Sequence, residues 1–542
     1  MQESALEMKR QIEEMSRVLL DHDHEMQKAI SELDICQSFR GPIRHLPTEI
    51  LCRIFRLCIP DHDFKRPKNI TAPLLFGRVC KHWRETAWNE PSLWTRPRVY
   101  VSPSPRLFAS TMRNTIDHYT TLSKSRPIAL CVTQTFEGQR YGANQPVTPH
   151  HWKEDFRILR STLTLCRTLS LSTDSHIWMT AFSSALDPSI FDALDTLVLK
   201  FRYPLPNHGG ISLFSTTPNL RRLHIAVFQP TCLEQLSFPY SQLTELSSTF
   251  LCLLGHPIRG ASGTVKKWKE LVVKCGNLRN IDVYFHGRGK TDRTRGLDAP
   301  YLSVEPTTFS EAESLTLKTG FRADMASILS GFSFPSLRYL QLVSVANPMT
   351  IASRDIPFPE VLNSRISFVS GLTMLRLLRV EFTDEELHSL LQATPLLTSL
   401  DIMAGGYCAG LLFDVLDDEV VEILSISSDE IESPLLPRLR DLRLYFCEPE
   451  TLSEAENVDR YAYLAKSRHA WANSHLDTRD QHVPVSMVSE TVPSYPFRLY
   501  MRFDCVDYQK HWKTAIGAAI GPDSACVFWP EDSTRNGWTK EL

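Results

Sequence analysis

The sequence predicts an α/β protein: a long N-terminal helix and a small helical module, followed by an α/β solenoid of irregular repeats. Three observations lead to this prediction. Apolar residues step by threes and fours over 3–35, two apolar helical stripes lie within 46–94, and the pattern L-x-x-L-x-L recurs from residue 166 onward. Such repeats must stack, because one unit alone cannot bury its apolar face. We therefore divide the chain into a helical segment (1–40), a helical module (41–100) and a repeat region (101–542).

The composition is typical of a globular protein from a reducing compartment. Of the 542 residues 42% are hydrophobic and 22% charged, which is enough to build a large core. The net charge of −3 gives no general attraction to nucleic acid or to an anionic membrane. The 13 cysteines form no C-x-x-C pair, which argues against a zinc ribbon or a disulfide framework. Without a signal peptide or a membrane-spanning run, we expect a cytoplasmic or nuclear protein.

The N-terminal helix carries a heptad-like apolar seam. Its members alternate in steps of three and four residues: Met8, Ile12, Met15, Leu19, Met26, Ala29 and Leu33, with His22 interrupting them. Either a short coiled coil or a helix lying back on its own chain fits this pattern. The neighbouring Asp21, His22, Asp23 and His24 point in different directions on a helix, so we interpret them as solvated charge rather than metal ligands.

Two helices are predicted between residues 46 and 94. The first starts after Pro47, has Glu49 early where the helix dipole favours a carboxylate, and ends at Pro60. In the second, Leu75, Val79, Cys80 and Trp83 share one stripe, and Pro91 closes it. A charged loop, 61–73, separates the two; its Asp61, His62 and Asp63 are interpreted as solvated rather than metal-binding. A unit this small usually needs a partner or a neighbouring domain.

This segment resembles the F-box in the form common among fungal F-box proteins. The resemblance lies in Leu46-Pro47, Glu49-Ile50-Leu51, Ile54-Phe55, Val79-Cys80, Trp83-Arg84, Pro91 and Leu93-Trp94. It implies a helical module that docks on the Skp-family adaptor of a cullin-RING ubiquitin ligase. By the same resemblance, the apolar side chains placed against the adaptor are Leu46, Pro47, Ile50, Leu51, Ile54, Val79 and Trp83. The alternative is that these residues simply form a helical core.

The repeat region is defined by short leucine-rich segments, about 22 to 40 residues apart, near the spacing of leucine-rich repeats. They are CRTLSL (166–171), LDTLVL (194–199), LRRLHI (220–225), LTELSS (243–248), LRNIDV (278–283), AESLTL (312–317), LRYLQL (337–342), LRLLRV (375–380), LTSLDI (397–402) and LRDLRL (439–444). Each predicts a strand whose alternate side chains enter a shared core. The asparagine of regular repeats is mostly missing, so the region resembles a degenerate leucine-rich repeat. A different α/β fold with many short strands is the alternative.

Elements between the repeats are less regular. We expect helices over 107–122, 384–391 and 511–520 and strands over 127–132 and 497–503. A capping box at 453–456 predicts another helix. Long loops are expected over 133–150, 284–310, 344–366 and 403–436, and His150, His151 and Trp152 are assigned to a loop.

No segment predicts catalysis. The glycines of 255–262 have the spacing of a phosphate loop, but Ala261 stands where the lysine is required. The basic residues Arg288, Lys290, Arg293 and Arg295 lack interleaved aromatics and are interpreted as a solvated loop. We therefore predict a protein that is not an enzyme and holds no cofactor or metal.

Two hypotheses about function remain from the sequence. In the first, the module binds the adaptor and the repeat region holds an unknown substrate protein for ubiquitin transfer, which raises the local substrate concentration. In the second, the same modules form a protein-binding scaffold that does not lead to degradation. Neither predicts a nucleic-acid or membrane partner.

Overall fold

The computed structural model describes most of the chain in separate stretches. They are residues 2–39, 46–59, 72–101, 105–134, 150–173, 176–201, 211–227, 236–251, 261–286, 307–319, 325, 329, 331–345, 369–380, 382, 384–403, 418–426, 435–446, 454–476, 497–503, 506–520 and 527–528. The chain divides into two compact units. The first comprises Met1–Pro97 with Ile116–Arg126, and the second Arg98–Thr115 with Pro127–Leu542.

The described α-helices concentrate near the N-terminus and then alternate with strands. They are α1 (Gln2–Phe39), α2 (Thr48–Leu57), α3 (Ala72–Val79), α4 (Lys81–Asn89), α5 (Pro105–Ser123), α6 (His150–Leu163), α7 (His176–Ala185), α8 (Ala261–Val273), α9 (Asp384–Gln392), α10 (Asp418–Leu424), α11 (Glu454–Leu476) and α12 (Val506–Ile520). Short 3₁₀ helices cover Pro91–Trp94, Pro188–Phe191 and Tyr240–Gln242.

The strands of the second unit are short. They are β1 (Arg98–Val101), β2 (Ile128–Gln134), β3 (Cys166–Thr173), β4 (Thr196–Phe201), β5 (Arg222–Val227), β6 (Glu245–Leu251), β7 (Asn280–His286), β8 (Thr307–Thr308), β9 (Ser314–Thr319), β10 (Phe332–Ser333), β11 (Tyr339–Ser344), β12 (Met374–Leu378), β13 (Ser399–Met403), β14 (Asp441–Phe446), β15 (Arg498–Phe503) and β16 (Val527–Phe528).

Fourteen of these strands form one parallel sheet in chain order. Each pairs with the strand before and after it, except that β8 and β10 pair with each other in a separate two-stranded sheet. Among the described strands the large sheet is open, with β1 at one end and β16 at the other. Every predicted leucine-rich segment therefore contributes to a strand, and the sequence order of the segments is their order in space.

A continuous row of buried aliphatic residues explains this order. The register places the following residues side by side, each at most 2% exposed: Leu169, Leu197, Leu223, Leu246, Ile281, Leu315, Leu340, Leu375, Leu400, Leu442 and Leu499. Burying one such side chain contributes roughly 1.5–3 kcal/mol, and each is covered only when the next strand is in place. Stacking thus stabilises the sheet one strand at a time.

The residues just before the strands are also regular. Backbone amides at Arg221, Thr244 and Arg279 donate to carbonyls at Asp195, Arg221 and Thr244, respectively, and the arrangement continues to Arg440. The first leucine of each segment, such as Leu194 or Leu220, is fully buried beside this ladder. It therefore closes the core from the turn that precedes the strand.

One predicted segment has the wrong register. The structure pairs Leu375 with Leu340 and Leu400, so the repeat there is LTMLRL at 372–377 and not LRLLRV at 375–380. The strand ends at Leu378, and Arg379 adopts a left-handed conformation, with φ 56°. The pattern at 375–380 fails because the strand does not continue through Arg379.

Four α-helices, α6, α7, α8 and α10, occupy stretches that the sequence assigns to loops or leaves unassigned. Helix α6 begins at His150, where a loop is predicted, and buries Phe156, Leu159 and Leu163. Helix α10 lies inside the predicted loop 403–436, and α8 begins at Ala261, within the glycine-rich segment 255–262. Most of that glycine-rich segment, the charged loop 61–73 up to residue 71 and the basic residues of 288–295 lie outside the described residues.

None of the helices in the described part of the chain is both long and apolar enough to cross a membrane. The longest, α1, exposes every described side chain from Leu6 to Leu33, including the heptad seam. Whether that seam pairs in a coiled coil stays a prediction.

Candidate functional site

The first unit is built around a small aromatic core. Its buried members are Leu51, Phe55, Phe76, Ala87, Leu93, Trp94 and Tyr119. The ring of Phe55 stacks on Phe76 with centroids 4.1 Å apart and meets Trp83 edge-on at 4.9 Å. These contacts hold α2 against α3 and α4, so the surface residues of the three helices keep fixed positions.

The predicted second helix is two helices. Cys80 is extended, with φ −159° and ψ 173°, and its Sγ accepts a hydrogen bond from the Trp83 backbone amide as the cap of α4. The Arg84 guanidinium also donates to the Gly77 carbonyl at 2.8 Å. The predicted stripe through Leu75, Val79, Cys80 and Trp83 is therefore broken: Trp83 packs on the core, whereas Val79 turns to solvent.

A polar network links α2 to the 3₁₀ helix Pro91–Trp94. Arg56 on α2 donates to Glu90 at 2.8 Å, and Glu90 also accepts from the Ser92 amide and hydroxyl. Burial opposes ionisation of Glu90, but the hydrogen bonds from Ser92 and Arg56 outweigh it and lower its pKa below the ordinary value. The indole N–H of Trp94 donates to the Ala87 carbonyl at 2.7 Å.

The seven residues predicted to bind a partner fall into three environments. Leu51 is fully buried in the core, and Leu46 and Trp83 are half-buried against it. Ile54 is half-buried, and Pro47, Ile50 and Val79 are exposed, with 45% of Ile50 and 55% of Val79 accessible. In the chain alone, therefore, Pro47, Ile50 and Val79 are the most available for contact, whereas Leu51 shapes the site from beneath.

The structure adds apolar surface that the sequence reading does not include. Leu57, Leu74, Leu75 and Trp88 are also exposed, with Leu57 80% accessible. The helix period explains two of these exposed residues. Pro73 and Phe76 are buried one helical turn apart, so Leu74 and Leu75, which lie between them in the sequence, face another side of the helix. Exposed large apolar residues grouped on one small unit typically mark an interaction surface.

In the second unit, the other face of the sheet carries mostly polar side chains. The middle residue of each leucine-rich strand lies in a second row. Along the row are Ser170, Val198, His224, Ser247, Asp282, Thr316, Gln341, Arg376, Asp401, Arg443 and Tyr500. Parallel strands hold these side chains at fixed spacing. Five of them are buried: Ser170, Val198, Gln341, Arg376 and Asp401.

No metal-binding arrangement is found in the parts of the chain that the structure describes: no group of three or more His, Cys, Asp or Glu side chains is close enough. Asp21, His22, Asp23 and His24 all lie exposed on α1. The expectation that the protein is not an enzyme stays a prediction.

Comparison with known families identifies the helical module. The F-box-like family model matches residues 43–99, so the chain contains an F-box-like domain. Domains of this family generally bind Skp1-type adaptors, and the match suggests a role in substrate recognition for a ubiquitin ligase. No curated protein matches the chain.

Proposed function

We propose that the chain is a substrate-receptor subunit of a Skp-cullin-F-box ubiquitin ligase. The F-box-like domain binds the Skp-family adaptor, and the second unit, a leucine-rich-repeat-like solenoid, binds the substrate protein. The chain itself catalyses no reaction, needs no cofactor, and works in the cytoplasm or nucleus. The family match over residues 43–99 supports the first part, and the ordered parallel sheet supports the second.

One observation carries the adaptor assignment. A folded F-box-like unit leaves Pro47, Ile50, Leu75 and Val79 exposed, although other apolar residues of the unit form a buried core. Burying such side chains against a partner is favourable by roughly 25 cal/mol per Å² of apolar area, before the cost of association is subtracted. An adaptor with an apolar groove is the partner that this surface fits.

The test is capture of the full chain by a purified Skp-type adaptor. Ile50→Glu places a charge in the proposed contact and should weaken the complex by about thirtyfold or more, as loss of an interface hot spot of about 2 kcal/mol does. Leu33→Glu on α1 is the matched control, because Leu33 is 58% exposed and lies outside the F-box-like domain. Adaptor affinity is measured by calorimetry, and the melting temperature of each variant shows that folding is preserved.

Two results would overturn the assignment: no complex with the wild-type chain, or equal weakening by both variants. Reconstitution with the cullin and a conjugating enzyme then separates the two functional hypotheses. If proteins bound to the second unit become ubiquitinated only when Ile50 is intact, the receptor role holds. Binding without modification would favour the non-degradative scaffold.

A further inference from the structure

Arginines accumulate on the polar face of the last strands of the sheet. Strand β14 places Arg443 there, and β15 places Arg498 and Arg502 on the same face, two positions to either side of Tyr500. Alternate residues of a strand are about 6.6 Å apart, and neighbouring strands about 4.8 Å. The three arginines therefore lie on one face of two neighbouring strands, the face that also carries Tyr500.

The first of these arginines, Arg443, shares its counterion with another arginine. Arg443 reaches Asp401 through Nη1, at 3.3 and 3.4 Å from the two carboxylate oxygens. The same carboxylate is already held by Arg376, whose Nε lies 3.0 Å from it, and Asp401 is fully buried between them. Among the described residues the Arg443 guanidinium has no other carboxylate.

The second and third arginines differ from each other. Arg498 forms a two-point ion pair with Asp441, at 2.6 and 2.9 Å. Arg502 has a buried Nη1 that finds no hydrogen-bond acceptor in the described structure. Leaving a buried guanidinium nitrogen without an acceptor costs about 1–3 kcal/mol or more, so the described residues do not satisfy all the hydrogen-bonding capacity of Arg502.

The tyrosine ring completes the arrangement. The guanidinium carbon of Arg443 lies 5.2 Å from the ring centroid of Tyr500, and that of Arg498 lies 5.9 Å from it. Such cation–π contacts orient the two groups without neutralising them. Asp441 contacts Nε and Nη2 of Arg498, and Asp401 contacts Nη1 of Arg443, so only the other N–H groups of these two arginines can donate to the oxygens of a carboxylate or a phosphate.

Elsewhere on the same face, Arg222 on β5 pairs with Asp195 and lies opposite Glu245 on β6. The charge of this arginine is therefore balanced locally.

We propose that Arg443, Arg498 and Arg502, on the same face of β14 and β15 as Tyr500, form a binding site for an anionic side chain of the substrate protein. The ligand group is a carboxylate or a phosphate, since both present oxygens that a guanidinium fork binds in a bidentate manner. The inference names the chemical class of the substrate segment and so rests on the proposed role of the second unit as a substrate receptor.

The probes are three fluorescein-labelled peptides of equal length, with glutamates, a single phosphoserine, or glutamine and serine at the same positions. Binding to the full chain is followed by fluorescence anisotropy at low and at physiological salt. We expect the two anionic peptides to bind, the neutral peptide not to bind, and added salt to weaken binding by screening. The relative affinity of the glutamate and phosphoserine peptides identifies which source of negative charge the site prefers.

Arg502→Gln is the first variant, because its removal leaves no aspartate of the described structure without a partner. We expect about a tenfold loss of affinity, as when one charge-assisted hydrogen bond is removed. Arg443→Gln is the second variant, and Asp401 keeps Arg376 there. Arg222→Gln removes the same charge from the same face at a distant strand and should leave peptide affinity unchanged.

The proposal is overturned if the wild-type chain binds neither anionic peptide, or if Arg222→Gln weakens binding as much as Arg502→Gln does. Adaptor affinity and melting temperature are measured on the same samples. A chain that binds the adaptor but no anionic peptide refutes this site and leaves the receptor function standing. A chain that binds the peptides but not the adaptor refutes the proposed function and retains the site.

Discussion

Removing the Phe55 ring should open the F-box-like domain without disturbing the sheet. Phe55 is fully buried, stacks on Phe76 at 4.1 Å and contacts Trp83 edge-on at 4.9 Å, so Phe55→Ala removes both ring contacts and leaves a cavity. Such a change costs about 3–5 kcal/mol in a packed core. Since 1.36 kcal/mol corresponds to a factor of ten, opening of the unit should become at least about a hundredfold more frequent.

The assay is hydrogen exchange of the full chain followed by mass spectrometry. Peptides from α2 to α4 should lose at least about a hundredfold in protection, while peptides from β4 to β7 keep theirs. Leu57→Ala is the matched control on the same helix, because Leu57 is 80% exposed and surface changes stay within about 0.5 kcal/mol. Comparable loss in both variants, or less than a tenfold loss for Phe55→Ala, would show that the aromatic core does not hold the unit together.

Three further predictions concern other parts of the chain. Glu90→Gln should destabilise the F-box-like domain by about 1 kcal/mol at neutral pH. Because the folded-state pKa of Glu90 is lowered, the difference in unfolding free energy between variant and wild type should disappear as the pH falls through that pKa. Denaturant titrations at several pH values measure this difference. Iodoacetamide at pH 8 should label exposed Cys58 far faster than Cys275, whose pKa burial raises to about 12; equal rates in a mass-spectrometric time course would contradict the buried position. If the α1 seam pairs two chains, Leu19→Ala should lower the mass measured by light scattering and Arg17→Ala, off the seam, should not; a wild-type chain that is already monomeric excludes the coiled coil.

The repeating part of the fold was predictable because its signal is physical and local. Each leucine-rich segment must bury the same two positions, and a row of residues such as Leu223, Leu246 and Leu315 has no other way to leave water. Helices such as α6 and α10 were missed for a related reason. Among the residues whose burial is described, α6 buries the apolar Phe156, Leu159 and Leu163 and α10 buries Val421 and Leu424, and so few positions do not stand out within a polar stretch.

The F-box-like site was predictable in its residue set but not in its exposure. A resemblance identifies Leu51 and Ile50 together, yet neighbouring residues on a helix point about 100° apart, so one enters the core and the other faces solvent. The break at Cys80 was also hidden, because a cysteine is an uncommon helix cap. Because of this break, Val79 faces solvent although it belongs to the predicted apolar stripe.

Which arginines and aspartates lie side by side on the sheet depends on the register between neighbouring strands. A pattern of leucines gives little information about that register. Around residue 375 the pattern can be aligned as LTMLRL at 372–377 or, with valine in the last position, as LRLLRV at 375–380. The first alignment makes Arg376 the middle residue of the strand, and the second makes it Arg379. Pairing of Leu375 with Leu400 and the left-handed backbone at Arg379 select the first, which aligns Arg376 with Asp401 and then Arg443. A shift of three residues would reverse which face the arginine occupies, since side chains alternate with a period of two. The residues that distinguish one receptor face from another are therefore specified by strand pairing across tens of residues of sequence.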